Sequence, residues 1–184
     1  MTTMVKVNVS VKDVKKKGDD YEGKFHFQQV DPLDKIYVKK NGKIEAFKAP
    51  DDLDIEFSWV SDAVEIKDRL YEAYFRTPHC DSIWILPGEN SDPGPGDKAP
   101  SSGNHDIIVP DGNDKRRLKL KDGNALDKTY KYAMAVHVEI EGGALLIKDP
   151  KIINKSINPR MAPGHRHHGS KSGIPHGSDD GDCD

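Results

Sequence analysis

The sequence predicts an all-β fold, an antiparallel β-sandwich of immunoglobulin-like type. Apolar and polar residues alternate over many short segments, which is the pattern of strands that bury one face. Turn-forming residues separate these segments about every ten residues, and roughly seven to nine such strands are typical of a sandwich. A small β-barrel is the alternative. The length of 184 residues fits one domain.

The N-terminal third contains the clearest strand patterns. From Val5 to Val11 a valine occupies every second position, so one face of this segment is apolar. The charged segment 12–23 is predicted as a connection. Asn41-Gly42, between two apolar runs, is a strong signal for a two-residue hairpin turn. The strands predicted in this part of the chain cover 4–11, 24–30, 36–40, 44–47 and 53–60.

The middle of the chain is less regular. Residues 62–75 fit either a strand or one short amphipathic helix, in which Ser61 or Asp62 would be the N-cap and Glu65 would complete a capping box. The segment 87–105 is rich in Gly and Pro and is predicted as a long loop. Further strands are predicted over 82–86, 106–109 and 115–120, and over the two arms of a final hairpin, 130–140 and 144–147.

The composition changes after residue 157. We therefore predict a β-sandwich domain over 1–157 and a disordered tail over 158–184, since the tail has too few large apolar side chains to form a core. The tail contains side chains of metal-ligand type, but their spacing is not that of a structural zinc site. No metal site and no cofactor are predicted. These tail residues are His165, His167, His168, His176, Asp179, Asp180, Asp182 and Cys183.

Charge and hydropathy argue against several classes of function. The net charge of −3 provides no basic surface for nucleic acid. No apolar run approaches the roughly 20 residues of a membrane span, and the N-terminal segment lacks the apolar core of a signal peptide. We expect a cytoplasmic protein that binds neither nucleic acid nor membranes. The interactions left open are self-association and covalent self-assembly.

Three Asp-Pro dipeptides are present: Asp31-Pro32, Asp92-Pro93 and Asp149-Pro150. An aspartate carboxylate can attack its own main-chain carbonyl carbon and close a five-membered anhydride, with the following nitrogen as the leaving group. Proline favours this reaction because it has no N–H, so the next amide nitrogen cannot attack the side chain instead. In most proteins the bond is stable near neutral pH. The dipeptide alone therefore does not identify a reactive site.

The segment LLIKDPKIINKS, which contains Asp149-Pro150, resembles the end of the DP-EP family. This family comprises small bacterial β-sandwich proteins described as self-cleaving endopeptidases. The resemblance is specific over Tyr130 to Asn154 and covers neither the long loop nor the tail. It implies cleavage at the carbonyl of Asp149, in a single-turnover autocatalytic reaction. It also implies that Lys131, at the position of a lysine that the family can join covalently to this aspartate, is the nucleophilic partner.

The activated acyl group formed at Asp149 has two fates. Attack by water gives plain cleavage, and attack by the amine of Lys131 gives an isopeptide bond. The amine must first lose its proton, which burial favours. Lys131 shares its strand face with Ala133 and Ala135, which suits partial burial.

Departure of the proline nitrogen requires a proton. A buried, neutral carboxylic acid is a suitable donor, and the family resemblance also implies acidic assistance. Asp62, Glu65 and Asp81 are candidates because they lie near predicted strand ends. The sequence does not choose among them.

Two other hypotheses compete with self-cleavage. The first is a non-enzymatic immunoglobulin-like module for binding or adhesion, in which Asp149-Pro150 is inert. The second is a sandwich stapled by a Lys131–Asp149 isopeptide bond without any cut. The three differ in the covalent state of the purified chain.

The final hairpin sets the distance between the two predicted site residues. A two-residue turn at Gly142-Gly143 would pair Lys131 with Asn154 and leave Lys131 and Asp149 about 16–17 Å apart along the strands. A lysine and an aspartate side chain cannot bridge that gap. A proline at this place also predicts that strand pairing breaks or shifts. We therefore expect either a bulge or a change of sheet at Asp149 that brings the residues together, or capture of Asp149 from a neighbouring molecule.

Overall fold

Two β-sheets make up the described part of the chain, and the all-β prediction is confirmed. The structure, a computed structural model, describes residues 2–18, 20–31, 33–47, 52–110, 114–123 and 127–155. The predicted tail over 158–184 and the domain boundary at 157 lie outside these residues. No α-helix occurs in the described ranges, and His79–Asp81 form one 3₁₀ turn.

The described ranges contain thirteen strands, more than the seven to nine predicted. Three of them lie outside the segments predicted firmly as strands: Ala63–Ile66 and Arg69–Tyr74, in the segment that fitted a strand or a helix, and Lys151–Lys155, after Asp149-Pro150. The strands are β1 (Thr2–Lys17), β2 (Asp20–Gln29), β3 (Ile36–Val38), β4 (Ile44–Phe47), β5 (Asp52–Trp59), β6 (Ala63–Ile66), β7 (Arg69–Tyr74), β8 (Ile83–Pro87), β9 (Ile107–Ile108), β10 (Arg117–Asp122), β11 (Thr129–Val138), β12 (Ala144–Lys148) and β13 (Lys151–Lys155).

The first sheet has the strand order β2-β1-β5-β10-β9. The predicted connection over 12–23 is wrong, because β1 continues through its lysines and pairs with β2 up to Lys17 opposite Asp20. A bulge between Lys12 and Lys15 allows Val14 to remain buried on the core side. Strands β1 and β5 are parallel, whereas the other pairs in this sheet are antiparallel.

The second sheet is built around β11. One edge of β11 pairs with β8 and β7, and the other edge pairs with β12 and β13. Beyond β13 lie β4, which is parallel to it, and then β3. Strand β11 is thus the element against which both sides of the Asp149-Pro150 bond are held.

The helical alternative over 62–75 is wrong. Strands β6 and β7 form a hairpin closed by Lys67-Asp68, two residues with positive φ angles of 51° and 61°, as in a type I′ turn. Burial alternates along β6, since Val64 and Ile66 are buried and Glu65 is exposed. The period is therefore two, that of a strand.

The main core lies between the two sheets. Phe57 of the first sheet contacts Tyr132 of the second, with ring centroids 5.8 Å apart, and Trp59 similarly meets Phe75 at 6.1 Å. On the opposite face of the second sheet, Ala133 and Ala135 of β11 form a smaller apolar cluster with Trp84 of β8. The arrangement is sandwich-like, and its immunoglobulin-like assignment stays a prediction. No helix in the described residues is long and apolar enough to cross a membrane.

Candidate functional site

The hairpin of β11 and β12 has a different register from the predicted one. Val138 pairs with Ala144, so the loop contains five residues, 139–143, and the predicted two-residue turn at Gly142-Gly143 is wrong. The N–H of Gly143 donates to the carbonyl of Ile140 at 2.7 Å and closes the turn inside this loop. The longer loop shifts the pairing by three residues.

The same register continues on both sides of Asp149-Pro150. Met134 pairs with Lys148 before the dipeptide, and Lys131 pairs with Lys151 after it. Strand pairing is interrupted there, as the proline predicts, but β12 and β13 pair with the same strand in the same sheet. The expected shift, bulge or change of sheet is absent from this pairing.

Lys131 and Asp149 are diagonal neighbours on one face of the sheet. Since Lys131 lies opposite Lys151, the continued register brings Asp149 opposite Ala133, two residues away along β11. Diagonal positions have Cα atoms about 7–8 Å apart, within reach of long side chains. The predicted separation of 16–17 Å is therefore wrong, and joining these residues within one chain requires no neighbouring molecule.

The ring of Pro150 is fixed by its surroundings. Pro150 is buried, and its carbonyl accepts a hydrogen bond from the N–H of Tyr132 at 3.1 Å. Gly42 packs against the ring so closely that a Cβ at Gly42 would lie 2.9 Å from Pro150 Cγ. Gly42 has a φ of +88°, which a glycine adopts without strain.

The turn that contains Gly42 is tied to β11 by a buried hydroxyl. The predicted hairpin between β3 and β4 is present, although its turn is longer than two residues, because the N–H of Lys39 donates to the carbonyl of Lys43 at 2.8 Å. The hydroxyl of Tyr132 donates to the carbonyl of Gly42 at 2.7 Å. Burial raises the pKa of Tyr132 well above its usual value, so the phenol stays protonated as a donor.

A cavity of about 170 Å³ opens beside the dipeptide. We call it the Asp-Pro cavity, and its wall combines four lysines, two carboxylates, an amide and the proline ring. The Lys131 side chain is 25% exposed, and Asp149 is exposed to solvent. The cavity thus brings together the aspartate, the proline and the amine that the sequence singled out. It is lined by Asn41, Lys43, Glu89, Lys131, Lys148, Asp149, Pro150 and Lys151.

The long loop after β8 supplies acidic residues to this region. The N–H of Gly88 donates to the carbonyl of Thr129 at 2.8 Å, which holds the start of the loop on β11. Glu89 then forms an ion pair with Lys151 at 2.5 Å. Asp92 follows, with Oδ1 3.8 Å from Lys131 Nζ.

The three acids considered from the sequence do not line the Asp-Pro cavity. Asp62 forms an ion pair with Arg116 at 3.1 Å, Asp81 lies 3.9 Å from Lys98, and Glu65 is exposed on β6. Glu89 does line the cavity. It was missed because it lies in a loop without periodicity.

The sequence matches no model of a known protein family and no curated protein.

Proposed function

We propose that this protein is a self-processing β-sandwich that cleaves its own Asp149-Pro150 bond, with Lys131 as an intramolecular acceptor of the Asp149 acyl group. One observation carries the proposal. Lys131 and Asp149 are diagonal neighbours on one sheet face and line the same cavity, beside a buried Pro150. Membership of the DP-EP family is part of the proposal and rests on the segment Tyr130 to Asn154.

The first step breaks the main chain. The Asp149 carboxylate attacks the carbonyl carbon of its own residue, the C–N bond to Pro150 breaks, and the Pro150 nitrogen takes up a proton. The product is a cyclic anhydride at Asp149 and a new N-terminus at Pro150. The buried Pro150 ring packs against Gly42, and the Pro150 carbonyl accepts a hydrogen bond from the Tyr132 N–H. These contacts fix the proline side of the reacting bond, and such positioning favours an intramolecular attack.

The second step resolves the anhydride. Water gives two carboxyl groups, whereas the neutral amine of Lys131 attacks the side-chain carbonyl and leaves an amide bond and one carboxyl group. Lys131 and Asp149 belong to the same fragment. Capture therefore closes a ring within residues 1–149 and still releases the segment that begins at Pro150.

Glu89 is suited to carry protons in both steps. Glu89 and Lys131 line the same cavity as Asp149 and Pro150, and the Glu89 carboxylate is bonded to the Lys151 ammonium. A carboxylate in this setting can accept a proton from the Lys131 ammonium and deliver it to the departing nitrogen.

Mass spectrometry of the purified chain under denaturing conditions tests the proposal. We expect a fragment that begins Pro-Lys-Ile-Ile and a partner that ends at Asp149, lighter by one water when Lys131 has captured the anhydride. An Asp149→Ala variant should remain whole at this bond, and Asp31→Ala, which changes an aspartate outside the cavity, should be processed like the parent. An inert binding module would show the intact mass. A staple without cleavage would lose one water and keep a single chain.

A further inference from the structure

We infer that Asp92-Pro93 is a second self-processing bond that uses the same amine, and that capture there staples the long loop to β11 through a Lys131–Asp92 isopeptide bond. This inference rests on the proposed function, because it uses the same chemistry. Lys131 Nζ lies 3.8 Å from Asp92 Oδ1. The aspartate that contacts this lysine thus belongs to another Asp-Pro dipeptide.

The two dipeptides share one arrangement around Lys131. In each, the aspartate is exposed to solvent and the proline is buried. Asp149 lies diagonal to Lys131, between β12 and β13, and Asp92 reaches Lys131 from the loop after β8. Both bonds thus combine a buried proline with an exposed carboxylate near the same amine.

Hydrogen bonds anchor the loop before and after the Asp92-Pro93 bond. Before it, Gly88 is bonded to Thr129 of β11. After it, the N–H of Gly94 donates to Asp97 Oδ2 at 2.9 Å, and the carbonyl of Asp97 accepts from the N–H of Ile85 at 3.0 Å. The loop therefore returns to β8 directly after the dipeptide and keeps Asp92 near β11.

Cleavage at Asp92 and capture by Lys131 need no other reagent. The Asp92 carboxylate attacks its own main-chain carbonyl, the bond to Pro93 breaks, and the Pro93 nitrogen takes up a proton. The Lys131 amine then attacks the side-chain carbonyl of the anhydride and loses a proton, leaving an amide bond and a free main-chain carboxyl group. No water is gained or lost, so the total mass does not change.

The product at Asp92 differs from the product at Asp149 in topology. Lys131 lies after the Asp92-Pro93 bond, so capture joins the fragment that ends at Asp92 to the fragment that begins at Pro93. The chain stays in one covalent piece but is branched and has a second N-terminus. Because one amine can form only one isopeptide bond, removal of Asp149 should increase capture of Asp92.

The experiment compares Asp149→Ala, Asp149→Ala with Lys131→Arg, and the parent chain, by N-terminal sequencing and by mass spectrometry of protease digests. Arginine retains a positive charge beside Asp92 but lacks an amine that can be acylated. We expect Asp149→Ala to keep the intact mass, to show a second N-terminus Pro-Gly-Pro, and to yield a peptide pair joined through Asp92 and Lys131. The joined pair should be lost in the arginine variant.

The outcomes separate the two proposals. A Pro150 N-terminus in the parent chain, without a Pro93 N-terminus or joined pair in Asp149→Ala, would overturn this inference alone. The joined pair without any Pro150 N-terminus in the parent would support it and overturn cleavage at Asp149. If neither product forms, both proposals are wrong.

Discussion

Lys131 pairs with Lys151, the residue directly after Pro150 on the neighbouring strand. This pairing makes Asp149 the diagonal neighbour of Lys131, which the proposed acyl transfer requires. The two-residue turn expected from the sequence would shift the pairing of β11 with β12 by three residues. The Lys131 and Asp149 side chains would then be too far apart to react. The length of the loop over 139–143 therefore decides whether the amine can meet the aspartate.

The segment that begins at Pro150 should remain bound after cleavage. Strand β13 lies between β11 and β4, and its Ile152 and Ile153 side chains are 0% and 7% exposed. Ile152→Ala should weaken docking by about 2–5 kcal/mol, the usual cost of such a core truncation. Native gel filtration beside a denaturing gel measures retention. Dissociation of the parent segment in native buffer would contradict this packing.

Gly42→Ala should destabilise the fold by about 1–3 kcal/mol and slow cleavage. The new Cβ meets the rings of Pro150 and Phe27 and strains the backbone at φ +88°. Gly142→Ala is the matched control. Gly142 has a similar φ of +84°, but nothing lies within 4 Å of a Cβ placed there. Urea denaturation and the rate of appearance of the Pro150 N-terminus measure the two effects. Equal cleavage rates in both variants would show that contact with Pro150 does not position the bond.

Tyr132→Phe should cost about 1–3 kcal/mol of stability, because it leaves the buried carbonyl of Gly42 without its hydroxyl donor. It should also slow cleavage by loosening the turn that packs on Pro150. Tyr130→Phe, which removes a hydroxyl bonded to Asp106 instead, is the control for loss of a tyrosine hydroxyl that does not bond to Gly42. Slower cleavage in Tyr130→Phe but not in Tyr132→Phe would contradict a role for the Gly42 turn.

Glu89→Gln should slow cleavage by roughly 10²-fold, the lower range of general acid–base catalysis. Its effect on stability should be small, about 0–1 kcal/mol, because the Glu89–Lys151 pair is partly exposed. Rates from quenched mass-spectrometric time courses, compared with urea midpoints, separate these effects. An unchanged rate would exclude Glu89 as the proton carrier.

Glu45 gives the β3–β4 hairpin a pH-dependent stability. Burial alone would raise its pKa, but hydrogen bonds from Lys43 and Lys39 outweigh burial and lower the pKa. A lowered folded-state pKa stabilises the fold above the unfolded value of about 4.3, and this stabilisation is lost as pH falls through the folded value. The stability difference between the parent and Glu45→Gln should therefore shrink from pH 7 to pH 3. A constant difference would contradict the ion pair.

Local patterns predicted most strands but not their partners. The bounds of β4 agree with the sequence, and β11 has the two faces expected from its alternation, with Tyr132 in the main core and Ala133 in the smaller cluster. The lysine-rich end of β1 was not foreseen, because its pairing with β2 overrides the low strand propensity of its charged residues.

The site itself was only partly predictable. The sequence singled out Lys131, Asp149 and Pro150. Their proximity depends on the length of the loop over 139–143, which the Gly142-Gly143 pair alone does not determine. Glu89 and Asp92 reach the cavity region through tertiary contacts of an irregular loop. The Asp92-Pro93 dipeptide was visible in the sequence, but nothing in the loop pattern showed that it faces Lys131.

Self-cleavage by Asp149 is tested most directly by the N-terminal sequences of the purified parent chain and of Asp149→Ala after equal incubation, both read under denaturing conditions. We expect a second N-terminus at Pro150 in the parent chain that increases with time. We expect no such N-terminus in Asp149→Ala, because no carboxylate remains to form the ring. Absence of a Pro150 N-terminus from the parent chain, or its equal appearance in both proteins, would contradict self-cleavage by Asp149.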